Sequence, residues 1–161
     1  MQPRLNFMNT FPAAIRPLMA LEGYLRKESG LEPRLLELVK LRSSQINGCA
    51  YCIDMHTKDA RAQGETEQRL YTVSVWREVP FFSDRERAAL LWAEHVTLIS
   101  EEHVPEAVYE QVKQHFTDAE IVSLTLAVIA INAWNRLAIS FRTVPGEYQP
   151  QQPVSAGSSA S

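Results

Sequence analysis

The chain holds two cysteines, three positions apart in Cys49-Ala50-Tyr51-Cys52, and His56 follows four positions later. At ~100° per residue on a helix, Cys52 lies ~60° and His56 ~20° from Cys49, so two thiols and one imidazole share a face. Ile53 and Ala60 continue that stripe. The thiolate is the reactive form of cysteine, and both helix-terminal N–H groups and a nearby imidazolium favour it. Asn47-Gly48 marks a helix start just before Cys49, which favours charge on Cys49. The i, i+4 spacing of Cys52 and His56 lets the imidazole take the Cys52 proton instead. Glu37 is the second unusual residue. It flanks an apolar arc formed by Leu35, Leu36, Leu38, Val39 and Leu41. A carboxylate there is costly unless paired, and desolvation is expected to raise its pKa toward that of a neutral-pH proton acceptor.

A Cys-x-x-Cys pair by itself admits other chemistry. Cys49, Cys52 and His56 can supply three zinc ligands, with Glu37 or water as the fourth. Structural zinc usually uses two ligand pairs, and no second Cys or His pair stands nearby. The thiols can also be two small buried hydrophobes. A thioredoxin-like redox pair needs a preceding strand, and none reads here.

The elements that position these residues read as helices. Pro17 opens a helix to about Ser29, with Gly30 as its stop. Pro33 opens a second, with Leu35, Leu38, Val39, Arg42 and Ile46 on one side, ended by Asn47-Gly48. A third runs from about Cys49 to Gln63, a fourth from Glu65 to Trp76, and Tyr71–Trp76 is the single segment rich in strand formers. Ser83-Asp84-Arg85-Glu86 and Thr117-Asp118-Ala119-Glu120 have the capping-box form. They start helices to about Ile99 and Phe141, and Pro105 opens another between them, to about His115. The expectation is an all-α bundle in one domain, residues 1–144. Residues 145–161 are rich in Pro, Gly, Gln and Ser and read as a flexible tail. Deleting residues 148–161 is then expected to leave activity unchanged.

Glu37, eleven residues, Cys49, two residues, Cys52, three residues, His56 resembles the signature of the alkyl hydroperoxidase D (AhpD) group. That group belongs to the carboxymuconolactone decarboxylase-like superfamily. Leu41 to Cys49 is similar to its helix–turn–helix core, and Ile131 to Arg136 to its final core helix. The resemblance is strong over residues 31–64 and weaker to Val144. It implies an all-helical fold that oligomerises, commonly as trimers or hexamers, and thiol peroxidase chemistry on hydroperoxides. It further implies that Cys52 is the peroxidatic nucleophile and Cys49 the proton donor and resolving thiol. His56 and Glu37 form the proton relay, a Cys49–Cys52 disulfide is the product, and an external dithiol reduces it. No cofactor or metal is implied. Some peroxidase members carry a histidine before the second cysteine, where this chain has Tyr51. Tyr51 is no neutral-pH base at its reference pKa of ~10, but it can hydrogen-bond a relay water or a substrate oxygen. The decarboxylase branch generally lacks the cysteine pair, so lactone decarboxylation is not what these residues suggest.

Composition narrows the partners. Lys+Arg is 16 against Asp+Glu 19, a net charge of −3, which argues against nucleic acid. The N-terminus lacks the apolar core of a signal peptide, and Ile121–Trp134 is shorter than the ~20 residues of a membrane span. A cytoplasmic protein with reduced thiols is the expectation. Ile121–Ile139 is apolar nearly all round and needs cover on every side, so a homo-oligomer is expected as well. Asn132 and Asn135 interrupt that run and need polar partners, and Arg136 is expected to meet a carboxylate across a subunit contact. Trp76, Trp92 and Trp134 read as core or interface anchors. His95 and His115 read as surface or satisfied residues, and His103 is given no role.

Overall fold

The computed structural model describes residues 2–150. Among them no strand forms, and the elements follow one another as helices. These are α1 (Phe7–Thr10), α2 (Pro12–Lys27), α3 (Pro33–Asn47), α4 (Ala50–Ala62) and α5 (Glu67–Thr72). A 3₁₀ segment (Val73–Glu78) leads to α6 (Asp84–Thr97), α7 (Ile99–Glu102), α8 (Glu106–Lys113) and α9 (Asp118–Phe141).

α3 lies at the centre. Pro33 occupies its first turn, where a missing N–H costs nothing. Leu35, Leu36, Leu38, Val39 and Leu41 are all buried, too many for one face, and α4, α6 and α9 pack around them. Gly48 ends α3 at φ 67°, ψ 31°, a left-handed cap that only a residue without Cβ takes freely. Cys49 follows in extended conformation as the cap of α4. The link between the two helices is therefore minimal, and it holds the α4 N-terminus against α3.

Both expected capping boxes form, with Ser83–Glu86 and Thr117–Glu120 each exchanging two hydrogen bonds. Two boundaries differ from expectation. α2 begins at Pro12, not Pro17, because a proline at the first position loses only a donor that no helix satisfies. Pro105 caps α8 instead of entering it. Tyr71–Trp76 is helical despite its strand formers. Leu70, Val73 and Trp76 are buried at three-residue spacing, so the core selects a helical period over alternation. A kink at Val75 (φ −123°, ψ 29°) marks the compromise.

α9 spans 24 residues, about 36 Å at 1.5 Å per residue. Its length and composition would suit a membrane crossing, and half of its most apolar window is buried inside the protein. Leu124, Ala127, Val128, Ala130 and Ile131 face the core, while Val122, Ile129 and Ile139 remain 60%, 50% and 47% exposed. Beyond α9 the chain does not leave the fold at residue 145. The Gly146 N–H donates to Asp54 Oδ2 at 3.0 Å, and the Tyr148 hydroxyl donates to Asp59 Oδ1 at 2.7 Å. The start of the expected flexible tail is thus fastened along α4, and the remainder, 151–161, lies outside the described residues.

Candidate active site

Cys49 and Cys52 are each 1% exposed, packed with Ile131, Ala138, Tyr51 and Trp134. Their sulfurs lie 2.8 Å apart, against ~2.05 Å in a disulfide. With charge on Cys49, the Cys52 thiol donates to it. The Cys52 and Tyr51 N–H groups in the first turn of α4 and the Asn135 side chain add to that effect. Together they outweigh burial and bring Cys49 down to about 7. Cys52 is pushed up by its hydrogen bond to Cys49, then by burial and the Cys49 charge. The hydrogen bond between the two sulfurs is the largest influence on each, and the first-turn N–H groups favour charge on Cys49.

His56 is buried, and its Nδ1 lies 2.7 Å from Glu37 Oε2. The ring's other nitrogen, Nε2, is buried without a protein hydrogen-bond partner. Glu37 behaves opposite to expectation. Burial alone raises its pKa, but the hydrogen bond and charge of His56, then Lys40 and Arg26, hold it below the ordinary carboxylate range. It is an anionic anchor for the imidazole and not a neutral-pH acid. Lys40, itself buried, is also bound to Glu22 at 2.5 Å, and Glu22 accepts from Trp134 Nε1 at 3.1 Å. Burial and the cysteine charges raise Tyr51, which stays protonated as a donor.

The grouping of possible metal ligands among the described residues is Glu37, His56 and Asp59, within 4.8 Å of one another. It leaves out both sulfurs, so Cys49, Cys52 and His56 do not lie within that distance as one set.

Three residues lay beyond the sequence reading. Asn135 is fully buried: its Nδ2 donates to Ser44 Oγ at 3.0 Å and its Oδ1 accepts from Asn47 at 2.8 Å. The sequence marked it only as a polar break in an apolar helix. Asp59 joins the imidazole group, and Glu94 is buried where Arg42 (2.7 Å), Arg77 (2.5 Å) and Trp76 Nε1 (2.9 Å) converge. Among the described residues Arg136 reaches no carboxylate, and it donates to the Asn132 carbonyl and Oδ1 at 3.0 and 2.9 Å.

Residues 12–95 match the model of the carboxymuconolactone decarboxylase family. The chain belongs to the carboxymuconolactone decarboxylase family. It is 44% identical over 140 residues to YdfG of Bacillus subtilis (strain 168), an uncharacterized protein, covering 87% of this chain and 95% of that one. It is similar to ATU0492 of Agrobacterium tumefaciens, a protein of unknown function assigned to AhpD antioxidant defence. There the TM-score is 0.87 at 46% identity, over 91% of this chain and 100% of that one. An uncharacterized peroxidase-related protein of Ralstonia eutropha JMP134 with an AhpD core matches at TM-score 0.77 and 25% identity, over 87% and 74% of the chains. The family and these structures place the chain among AhpD-like proteins of all-helical fold.

Proposed function

We propose that the protein is a thiol peroxidase that reduces hydroperoxides through Cys49 and Cys52. The observation that carries this reading is the sulfur pair at the α4 N-terminus, one turn before His56 on the same helix, whose imidazole is paired with Glu37 from α3. A resting thiolate needs a proton sink, and His56 with anionic Glu37 behind it is one. Its unpartnered Nε2 is the nitrogen assigned to the thiols.

The two sulfurs share one proton at 2.8 Å and titrate as a pair. His56 accepts the first proton, and transfer of the second from Cys52 to Cys49 puts the thiolate on Cys52. That thiolate attacks the terminal peroxide oxygen. The O–O bond breaks, Cys52 becomes a sulfenic acid, and the leaving alkoxide takes the proton held by Cys49. Cys49, again a thiolate, attacks the Cys52 sulfur. A disulfide forms, hydroxide leaves, and it takes a proton from solvent to become water. Two-residue spacing makes this step intramolecular. An external dithiol reduces the disulfide by exchange, as a reducing cytoplasm would supply. The chain acts as a homo-oligomer, trimer or hexamer, with the exposed strip of α9 at its interface.

The test is consumption of an organic hydroperoxide with several dithiol donors, beside the double-serine variant. Turnover that needs both cysteines supports the reading, and turnover that survives their loss refutes it. Cys52→Ser should abolish single-turnover oxidation, while Cys49→Ser should stop at the sulfenic acid.

A further inference from the structure

We propose that Asp59 is a third member of the relay and that Tyr148, on the segment after α9, is the residue that positions it. The inference rests on the thiol-peroxidase reading. Asp59 follows His56 by three positions on α4, on the same side of the helix. Its carboxylate, that of Glu37 and the imidazole lie within 4.8 Å of one another. Glu37 already holds Nδ1, and its side chain is 12% exposed against 6% for His56. Asp59 lies less deep in the protein than either and gives the proton a way out. A proton that His56 takes from the thiols passes to the Asp59 carboxylate and then to solvent.

An aspartate near the surface needs an anchor to serve in this way. The Tyr148 hydroxyl donates to Asp59 Oδ1 at 2.7 Å. Lys58 Nζ donates to the Gly146 and Tyr148 carbonyls, each at 3.0 Å, and the Gly146 N–H donates to Asp54 Oδ2 at 3.0 Å. Asp54, Lys58 and Asp59 thus hold the segment along one flank of α4. Four charged or polar groups face Asp59: Tyr148, Glu37, His56 and Lys40. Burial, then Glu37, raises its pKa against the opposite pull of Tyr148, His56 and Lys40. A carboxylate moved upward accepts a proton from an imidazolium more readily.

Single-turnover oxidation of the reduced full chain by tert-butyl hydroperoxide, followed against pH, tests the proposal. One charge-assisted hydrogen bond lost changes the equilibrium it supports by about tenfold. Asp59→Asn should slow oxidation by about tenfold and Tyr148→Phe by about threefold, with far-UV spectra unchanged. A chain ending at Glu147 should behave as Tyr148→Phe, contrary to the dispensable tail read from sequence. In a His56→Ala background neither substitution should slow the reaction further. Rates within about twofold of the parent, or equal losses with and without His56, overturn the proposal. Tyr148→Phe removes a single oxygen and carries the test if Asp59→Asn fails to fold. His56→Ala matching the parent is a different failure: the relay itself falls, and the role of Asp59 with it.

Discussion

Replacing Glu37 by Gln removes the negative charge 2.7 Å from His56 Nδ1 and leaves an oxygen that still accepts the N–H. Side-chain exposures of 12% and 6% leave little solvent to screen the pair. A hydrogen bond to a charged group at such a site is worth about 1.5–3 kcal/mol. Without that charge the proton acceptor for the thiols is weaker, so Glu37→Gln should slow single-turnover oxidation at neutral pH by about ten- to a hundredfold. Lys40 keeps Glu22 at 2.5 Å, so no buried cation is orphaned and the melting temperature should change little. Stopped-flow oxidation of the reduced protein reads the first effect, and thermal melting reads the second. A folded variant that keeps more than about a third of the parent rate refutes the reasoning.

Three further outcomes follow from the same geometry. Asn135→Ala leaves Ser44 and Asn47 without a buried partner, at about 1–3 kcal/mol or a fall of several degrees in Tm. It should also move the alkylation midpoint of Cys49 upward from about 7, and an unmoved midpoint by iodoacetamide kinetics counts against the assignment. Glu37 and Glu94 are both held below the ordinary carboxylate range: burial opposes this in each, outweighed by His56 for Glu37 and by Trp76, Arg42 and Arg77 for Glu94. Their contribution is present above the unfolded value of ~4.3 and is lost as pH falls through the folded values. Urea midpoints should therefore fall below about pH 4, and Glu94→Gln should flatten that fall; an acid limb identical in the variant removes Glu94 from the account. Val122→Glu and Ile129→Glu place charge on the exposed strip of α9 and should dissociate an oligomer seen by light scattering. A parent chain that scatters as a monomer at micromolar concentration excludes that interface.

Local chemistry made much of this protein legible in its residues. Ser83, Glu86, Thr117 and Glu120 announce helix starts because each cap is satisfied within four residues. Gly48 stops α3 by its own backbone freedom, and the spacing of Cys49 and Cys52 brings their sulfurs to 2.8 Å. Long-range contacts decided the rest. Glu37 reads as a desolvated carboxyl in the sequence, but His56, Lys40 and Arg26 come from three helices and reverse the sign. Tyr71–Trp76 carries strand formers, but the core accepts Leu70, Val73 and Trp76 only at helical spacing. Asn135 meets Asn47 and Ser44 across about 90 residues of chain, and Tyr148 meets Asp59 across a similar span. A side chain's propensity belongs to the residue and travels with the sequence. Its electrostatic environment is a sum over neighbours that only packing brings near, and that sum is set by the tertiary structure.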